Sequence, residues 1–387
     1  MKIVVNTVRV LVGILFIFSG LVKANDPLGL SYKMKEFFEI WNMELEHSSF
    51  FLRNGFISLF QFLHEHSLGL AVFMIAFEII AGVALLLGWR MRLFSWLLLL
   101  LIIFFTFLTG YAYLSGKFTN CGCFGDCLPI SSRTSFIKDI LLTIMIIFLF
   151  AYRKKIRPSL SPAGNAVVMI AALILSFGIQ WYALSYLPLV DCLPFKKGNN
   201  LNEKIIPAPD AKPDVYETKL IYEKNGKRYA FTVTDLPADW KTYKYISTES
   251  KLTRKGNMDP EIKGFSLKTA SGVDSTDIVL NEPRSLILFC ENFSEPVSNW
   301  EKDFQQVIAD ATKKNIPVHI VTASAAEAGA ALQNTSLKNV SLLECDFTAI
   351  RTAARTNPCL YYLEKGVVKG KWSYRKMKAA IQMIKNR

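Results

Sequence analysis

The sequence predicts a membrane-embedded all-α bundle followed by an α/β domain, and three observations predict it. Of the 387 residues, 51% are hydrophobic and 13% aromatic, and the apolar excess lies in the first half. Residues 1–190 hold 15 Lys and Arg and 9 Asp and Glu, against 30 and 23 in 191–387, so the charge density roughly doubles along the chain. Five stretches, 3–22, 68–87, 93–113, 136–152 and 166–187, approach the roughly 20 apolar residues that a helix rising ~1.5 Å per residue needs to cross a ~30 Å hydrocarbon core. The net charge of +13 contains no block of five like charges and no basic stripe with interleaved aromatics. Nucleic acid is therefore excluded as a partner, and the lipid bilayer is the expected one.

Taken in order, the first span follows Lys2 and Arg9 but ends in Ser19-Gly20-Leu21-Val22-Lys23, without a small-residue cleavage site, so a retained helix is expected. Arg90 and Arg92 between the second and third spans, and Arg153, Lys154, Lys155 and Arg157 after the fourth, mark these two short loops as cytoplasmic. With five spans the N-terminus is then cytoplasmic and everything after the fifth is outside. In a bacterium with two membranes this makes an inner-membrane protein with a periplasmic C-terminal domain. The segment 28–66 is too polar to span, yet it holds Phe37, Phe38, Trp41, Phe50, Phe51, Phe56, Phe60 and Phe62. It reads either as an amphipathic cap over the bundle or as an interfacial aromatic belt.

Beyond the fifth span, Pro188, Pro194, Pro207, Pro209 and Pro213 suggest an extended tether. Stretches 216–222 and 228–234 alternate around Asn225-Gly226, a type I′ hairpin signal. From residue 260 the expected order is strand 265–268, strand 285–290, helix 297–314, strand 317–322, helix 325–333, strand 341–344, helix 347–356, strands 359–363 and 367–372, and helix 374–385. Strands alternating with helices make a small α/β domain with a mixed sheet. The units are thus 1–152, a four-helix bundle; 153–190, the fifth span with its basic loop; 191–259, linker and hairpin; and 260–387, the α/β domain.

Phe18-Ser19-Gly20-Leu21-Val22-Lys23, Asp26-Pro27-Leu28-Gly29 and Phe77-Glu78-Ile79-Ile80-Ala81-Gly82 resemble the DoxX superfamily, and Cys121-Gly122-Cys123-Phe124-Gly125 resembles the cysteine loop of its MauE (methylamine utilisation) branch. The likeness covers 1–152. It implies a four-helix membrane core related in layout to quinone-coupled disulfide-forming proteins and a role in disulfide formation in exported proteins, with a quinone as a candidate cofactor. The C-terminal part, through Ile262-Lys263-Gly264-Phe265-Ser266-Leu267 and Thr356-Asn357-Pro358, resembles a thioredoxin-like domain of the periplasmic TlpA or peroxiredoxin type, which implies a cis-proline at Pro358. Where that family carries Cys-x-x-Cys, this chain reads Ser294-Glu295-Pro296-Val297. The whole arrangement is similar to multidomain DoxX family proteins of Bacteroidetes.

The chemistry is expected at the outer membrane face. Thiol exchange needs a thiolate, a nearby resolving sulfur and an accessible backbone. Cys121, Cys123 and Cys127 supply three sulfurs in one loop, and Cys192 emerges after the fifth span. Four cysteines allow three connectivities. Cys121 and Cys123 are the first choice for exchange, Cys127 and Cys192 the second pair. A purely structural set of disulfides competes with this reading. No metal is expected, because His47, His64 and His66 would have to come from another loop. Phe104, Phe105, Phe107, Tyr111, Tyr113 and Phe118 could line an apolar quinone cleft. Glu78, ten residues into an apolar span, is costly and reads as a proton carrier or a packing partner, with Lys23 and Asp26 as ion-pair candidates, Lys23 reaching it only in part. Cys290 and Cys359 could meet beside the missing motif; Cys345, Trp300 and Trp372 read as core. The expected function is a membrane thiol–disulfide redox protein, or its accessory, acting on a periplasmic protein client. The competing expectation is a non-enzymatic membrane subunit or assembly factor with structural cysteines and a partner-binding outer domain.

Overall fold

Long apolar runs with few breakers set the first half, and each helix stops where the sequence withdraws its support. In the computed structural model, which describes residues 1–118, 125, 127–128, 130–254 and 256–386, the helices are α1 (Lys2–Asn25), α2 (Pro27–Glu46), α3 (Arg53–Glu65), α4 (Ser67–Leu87), α5 (Met91–Ser115), α6 (Ser132–Tyr152) and α7 (Pro162–Ser185). Asp26 caps α2, accepting from Gly29 N, with Pro27 in the first turn where its missing N–H costs nothing. Ser131 and Ser161 cap α6 and α7 in the same way. Among the described residues, five helices are long and apolar enough to cross a membrane: α1, α4, α5, α6 with the turn after it, and α7.

Glycines decide how closely α1 and α4 approach. A Cβ on Gly82 would stand 2.9 Å from the Gly13 carbonyl oxygen and 2.8 Å from Ile17 Cγ1, and one on Gly20 would stand 2.5 Å from Ile79 Cγ1. Gly13 likewise faces Leu86, so the two helices run antiparallel in a defined register. Replacing Gly82 by Leu is expected to cost about 1–3 kcal/mol by overpacking, read as a lower thermal midpoint of the detergent-solubilised full chain.

The aromatic segment 28–66 folds into α2 and α3 laid on one end of the bundle. Ser31 and Ser67 share a hydrogen bond of 3.0 Å, and Phe37 stacks on Phe118 with centroids 4.2 Å apart. Trp41 and Tyr111 pack around that pair. The segment therefore forms a helical cap at the end of the bundle that carries Asn25 and Cys127.

The second half begins with α8 (Leu201–Lys204) and a three-stranded antiparallel sheet of β1 (Val215–Lys224), β2 (Lys227–Thr232) and β3 (Lys244–Arg254) in the order β2-β1-β3. Asn225 and Gly226 both take positive φ, as the hairpin signal requires; β3 has no such signal and was not expected. Then follow α9 (Thr276–Asn281), β4 (Ser285–Cys290), α10 (Glu301–Thr312), β5 (Val318–Thr322), α11 (Ala325–Leu332), β6 (Ser341–Glu344), α12 (Phe347–Ala353), β7 (Cys359–Glu364), β8 (Val367–Ser373) and α13 (Met377–Asn386). The sheet order is β6-β5-β4-β7-β8, with β4, β5 and β6 parallel and β7 and β8 antiparallel. The sheet is covered on both faces, which is why β4 is an uninterrupted buried run.

Two expectations change. Residues 265–268 form no strand; Lys268 makes isolated bridges to Asp274 and Glu344. The tether is not extended throughout: Phe195 and Leu201 are fully buried in the sheet's core, and Gly198 N and Leu201 N donate to the carbonyls of Val368 and Gly366, each at 2.8 Å. Prolines and lysines dominate the composition there, but a few apolar residues are enough to bind the segment to the core.

Candidate functional site

Two of the four expected cysteines meet at the capped end of the bundle. Cys127 and Cys192 form a disulfide, Cα to Cα 4.9 Å, that ties the loop before α6 to the segment after α7. Cys121 and Cys123 lie outside the described residues. Asn25, the last residue of α1, braces the junction: its amide accepts from Val190 N at 2.9 Å, donates to Val190 O at 2.8 Å, and reaches Cys127 Sγ at 3.9 Å. Both bridged cysteines are half-buried.

Immediately below, Lys23 Nζ lies 2.6 Å from Glu78 Oε2 with both side chains almost fully buried. The partial reach expected for Lys23 is corrected by the register of α1 and α4. Continuing the Gly13–Leu86 and Gly20–Ile79 pairs sets Lys23 level with Ala76, close to Glu78. Lys23 also sits 4.8 Å above the Phe105 ring. A second buried carboxylate, Asp139, meets Lys138 at 2.5 Å and accepts from Thr109 Oγ1 at 3.0 Å. Lys23, Glu78, Lys138 and Asp139, with Ser19 and Phe105, line one cavity of about 30 Å³, room for one or two waters. Two cations and two carboxylates leave it formally neutral, which is how a buried charge cluster becomes tolerable. Lys138 and Asp139 were missed by sequence reasoning, although two charges in an apolar span were the signal.

Among the described residues, the cavity at this charge cluster does not fit a quinone. A cavity of about 30 Å³ is far below the roughly 150 Å³ that holds a benzene ring. The aromatics proposed as a cleft also disperse. Phe105 faces the charge cluster, Tyr111 and Phe118 join the cap, and Phe104, Phe107 and Tyr113 are exposed along α5.

Asp26 does not join Glu78. It pairs with Arg355 Nε at 2.8 Å, on the α/β domain, with both side chains largely buried. Around it, Tyr32 on α2 donates to Glu291 Oε2 at 2.8 Å, Arg351 Nε donates to Glu291 Oε1 at 3.1 Å, and the Arg351 and Arg355 guanidiniums lie over the Tyr32 ring at 4.8 and 5.4 Å. Lys371 pairs with Asp191, beside Cys192, at 2.9 Å. Burial next to the Glu291 carboxylate drives the Tyr32 hydroxyl well above its ordinary pKa, so it stays a donor. The Asn357–Pro358 peptide is cis, and Asn357 accepts from Glu291 N and donates to Asn292 O. The end of β4, where a redox motif was sought, and the Pro358 turn therefore both lie at the face docked on α2.

Cys290 and Cys359 do not meet as a pair. Phe289 is the register partner of Cys359, so Cys359 shares the face of Phe289 while Cys290 points to the opposite one. Burial raises the thiols of Cys345 and Cys359 to about 11 and that of Cys290 further. A neutral thiol favoured in the folded state contributes stability below the unfolded pKa of about 8.5, and that contribution is lost as pH rises toward 11 and beyond. All three are expected to resist alkylation at pH 8 in the folded chain and to react once it is denatured, as read by mass spectrometry.

Among the described residues no group of three or more His, Cys, Asp or Glu is placed to hold a metal ion. His64 instead pairs with Glu39, and His66 with the Phe62 carbonyl.

Comparison with known families adds to this geometry. Residues 216–255, which carry β1 to β3, match a family described as a domain of unknown function, DUF8463. Residues 1–152 match the family described as methylamine utilisation protein MauE. No curated protein and no solved structure matches the chain. The match over 1–152 takes in α1 to α6 and the loop that carries Cys121, Cys123 and Cys127, so the first part of this membrane protein is a MauE family domain.

Proposed function

We propose that the protein is an inner-membrane thiol–disulfide redox protein supporting disulfide formation or maturation in periplasmic client proteins. The observation that carries this reading is the Cys127–Cys192 bridge beside the loop of Cys121 and Cys123. In the exchange, a client thiolate attacks one sulfur of a Cys121–Cys123 disulfide and releases the other as thiolate. The second client thiolate then attacks the mixed bond, leaving a client disulfide and a protein dithiol. Two electrons pass from client to protein. Cys127–Cys192 is the second pair, held by Asn25 at the same end. Lys23 and Glu78 fix the end of α1 that carries Asn25 and Asp26. The C-terminal domain resembles a thioredoxin-like fold without its cysteine pair, and it caps this site on the periplasmic side.

Trapping free thiols with an alkylating reagent in membranes, with and without reductant, tests the proposal. Cys121 and Cys123 are expected to change state reversibly, and a state that stays fixed under all conditions sinks it. Replacing Cys123 by Ser should abolish client disulfides while the protein accumulates normally.

The second reading is a non-enzymatic subunit or assembly factor with structural cysteines. It is favoured by the face around Glu291 and Pro358, which is engaged by α2 of the same chain and so is not open to a client. Loss of the protein itself in the Cys123→Ser variant supports that reading.

A further inference from the structure

At the end of the bundle opposite the cap, we infer a binding site for the phosphate of an anionic phospholipid, formed by Arg90 and Arg92 from the α4–α5 turn with Arg153 and Lys154 after α6. These four cations line one groove of about 460 Å³. The groove has a defined frame. Gly88 adopts φ 68° against the second loop, where a Cβ would stand 2.6 Å from the Arg157 carbonyl oxygen and 2.8 Å from an Arg9 guanidinium nitrogen. Ser159 N donates to Leu87 O at 2.8 Å, locking the two loops together. Arg153 is further fixed by donating to Phe150 O at 2.6 Å and lying 3.8 Å over its ring.

Charge compensation is missing at this end. Residues 1–12, 84–98 and 146–165 contain no Asp or Glu, and among the described residues none of the four cations has a carboxylate partner. A membrane orientation bias needs only a number of cations; it does not need them to converge on one groove from two separate loops. Guanidinium groups held in this way suit the paired oxygens of a phosphodiester.

The apolar surroundings select a lipid over a free ion. Met91, Leu93 and Ile156 line the same groove. From Leu93 a stripe of Trp96, Leu100 and Ile103, each half exposed or more, runs down one face of α5 at helical spacing. An acyl chain anchored by its headgroup in the groove would lie along that stripe.

The test is native mass spectrometry of the full chain in detergent, titrated with phosphatidylglycerol or phosphatidylcholine. Phosphatidylglycerol should be retained at a concentration at least ten-fold lower. The Arg92→Gln/Arg153→Gln pair should erase the difference, and Arg92→Lys/Arg153→Lys, which keeps the charge but not the planar fork, should restore only part of it. Equal retention of the two lipids by the unaltered protein, or a preference that survives the Gln pair, overturns the site. Displacement of bound phosphatidylglycerol by millimolar inorganic phosphate would instead assign the groove to a free anion and overturn the lipid reading.

Discussion

Replacing Glu78 by Ala is expected to destabilise the bundle by about 3–5 kcal/mol, the cost of leaving a buried cation without its partner. Lys23 would be that cation: its side chain is 4% exposed and its ammonium 2.6 Å from the Glu78 carboxylate. Joint replacement of Lys23 and Glu78 by Met, of similar bulk, should recover most of the loss, since a buried pair and an apolar pair of like volume differ little in net stability. Thermal unfolding in detergent of the unaltered chain, Lys23→Met, Glu78→Met and the double Met variant gives the coupling energy. The same variants separate two roles for Glu78. If the double Met variant accumulates and still supports client disulfides, the pair positions α1; if it accumulates and the disulfides are lost, Glu78 moves protons.

Arg355→Met is expected to release the α/β domain from the cap. The guanidinium is 4% exposed and its partner Asp26 12%, so the unpaired Asp26 carboxylate would be left in a largely buried site, a penalty of about 3 kcal/mol or more. Asp26→Asn should also weaken the contact, because Gly29 N and the guanidinium donate to different carboxylate oxygens and a single amide oxygen can keep only one of the two bonds. Limited proteolysis around residues 207–214 in the full chain reads the release. Faster cleavage in Arg355→Met at unchanged thermal midpoint of the bundle shows a latch, and unchanged cleavage shows that the remaining contacts of Tyr32, Glu291 and Lys371 suffice.

Much of the architecture was legible in the sequence because it rests on local signals. Five apolar runs, the Asn225-Gly226 hairpin and the alternation of strands and helices after residue 260 need no long-range information to be recognised. β3 and α9 lacked such signals, the first because its strand is mostly exposed and carries no apolar alternation, the second because six residues are too few to show a helical period. Lys138 and Asp139 were visible as charges inside a span, and only the folded chain shows that they share a cavity with Lys23 and Glu78.

By itself, the sequence determined that this is a membrane protein with an α/β appendage and that a carboxylate sits inside an apolar span at a cost. Tertiary structure alone decided the partners. Whether Lys23 reaches Glu78 depends on a helix register set by Gly13, Gly20 and Gly82. Asp26 pairs with Arg355, 329 positions away, and Cys290 and Cys359 part to opposite faces of one sheet by the alternation of side chains along paired strands. Burial and periodicity are properties of neighbouring residues, whereas pairing across hundreds of positions is a property of the packed whole.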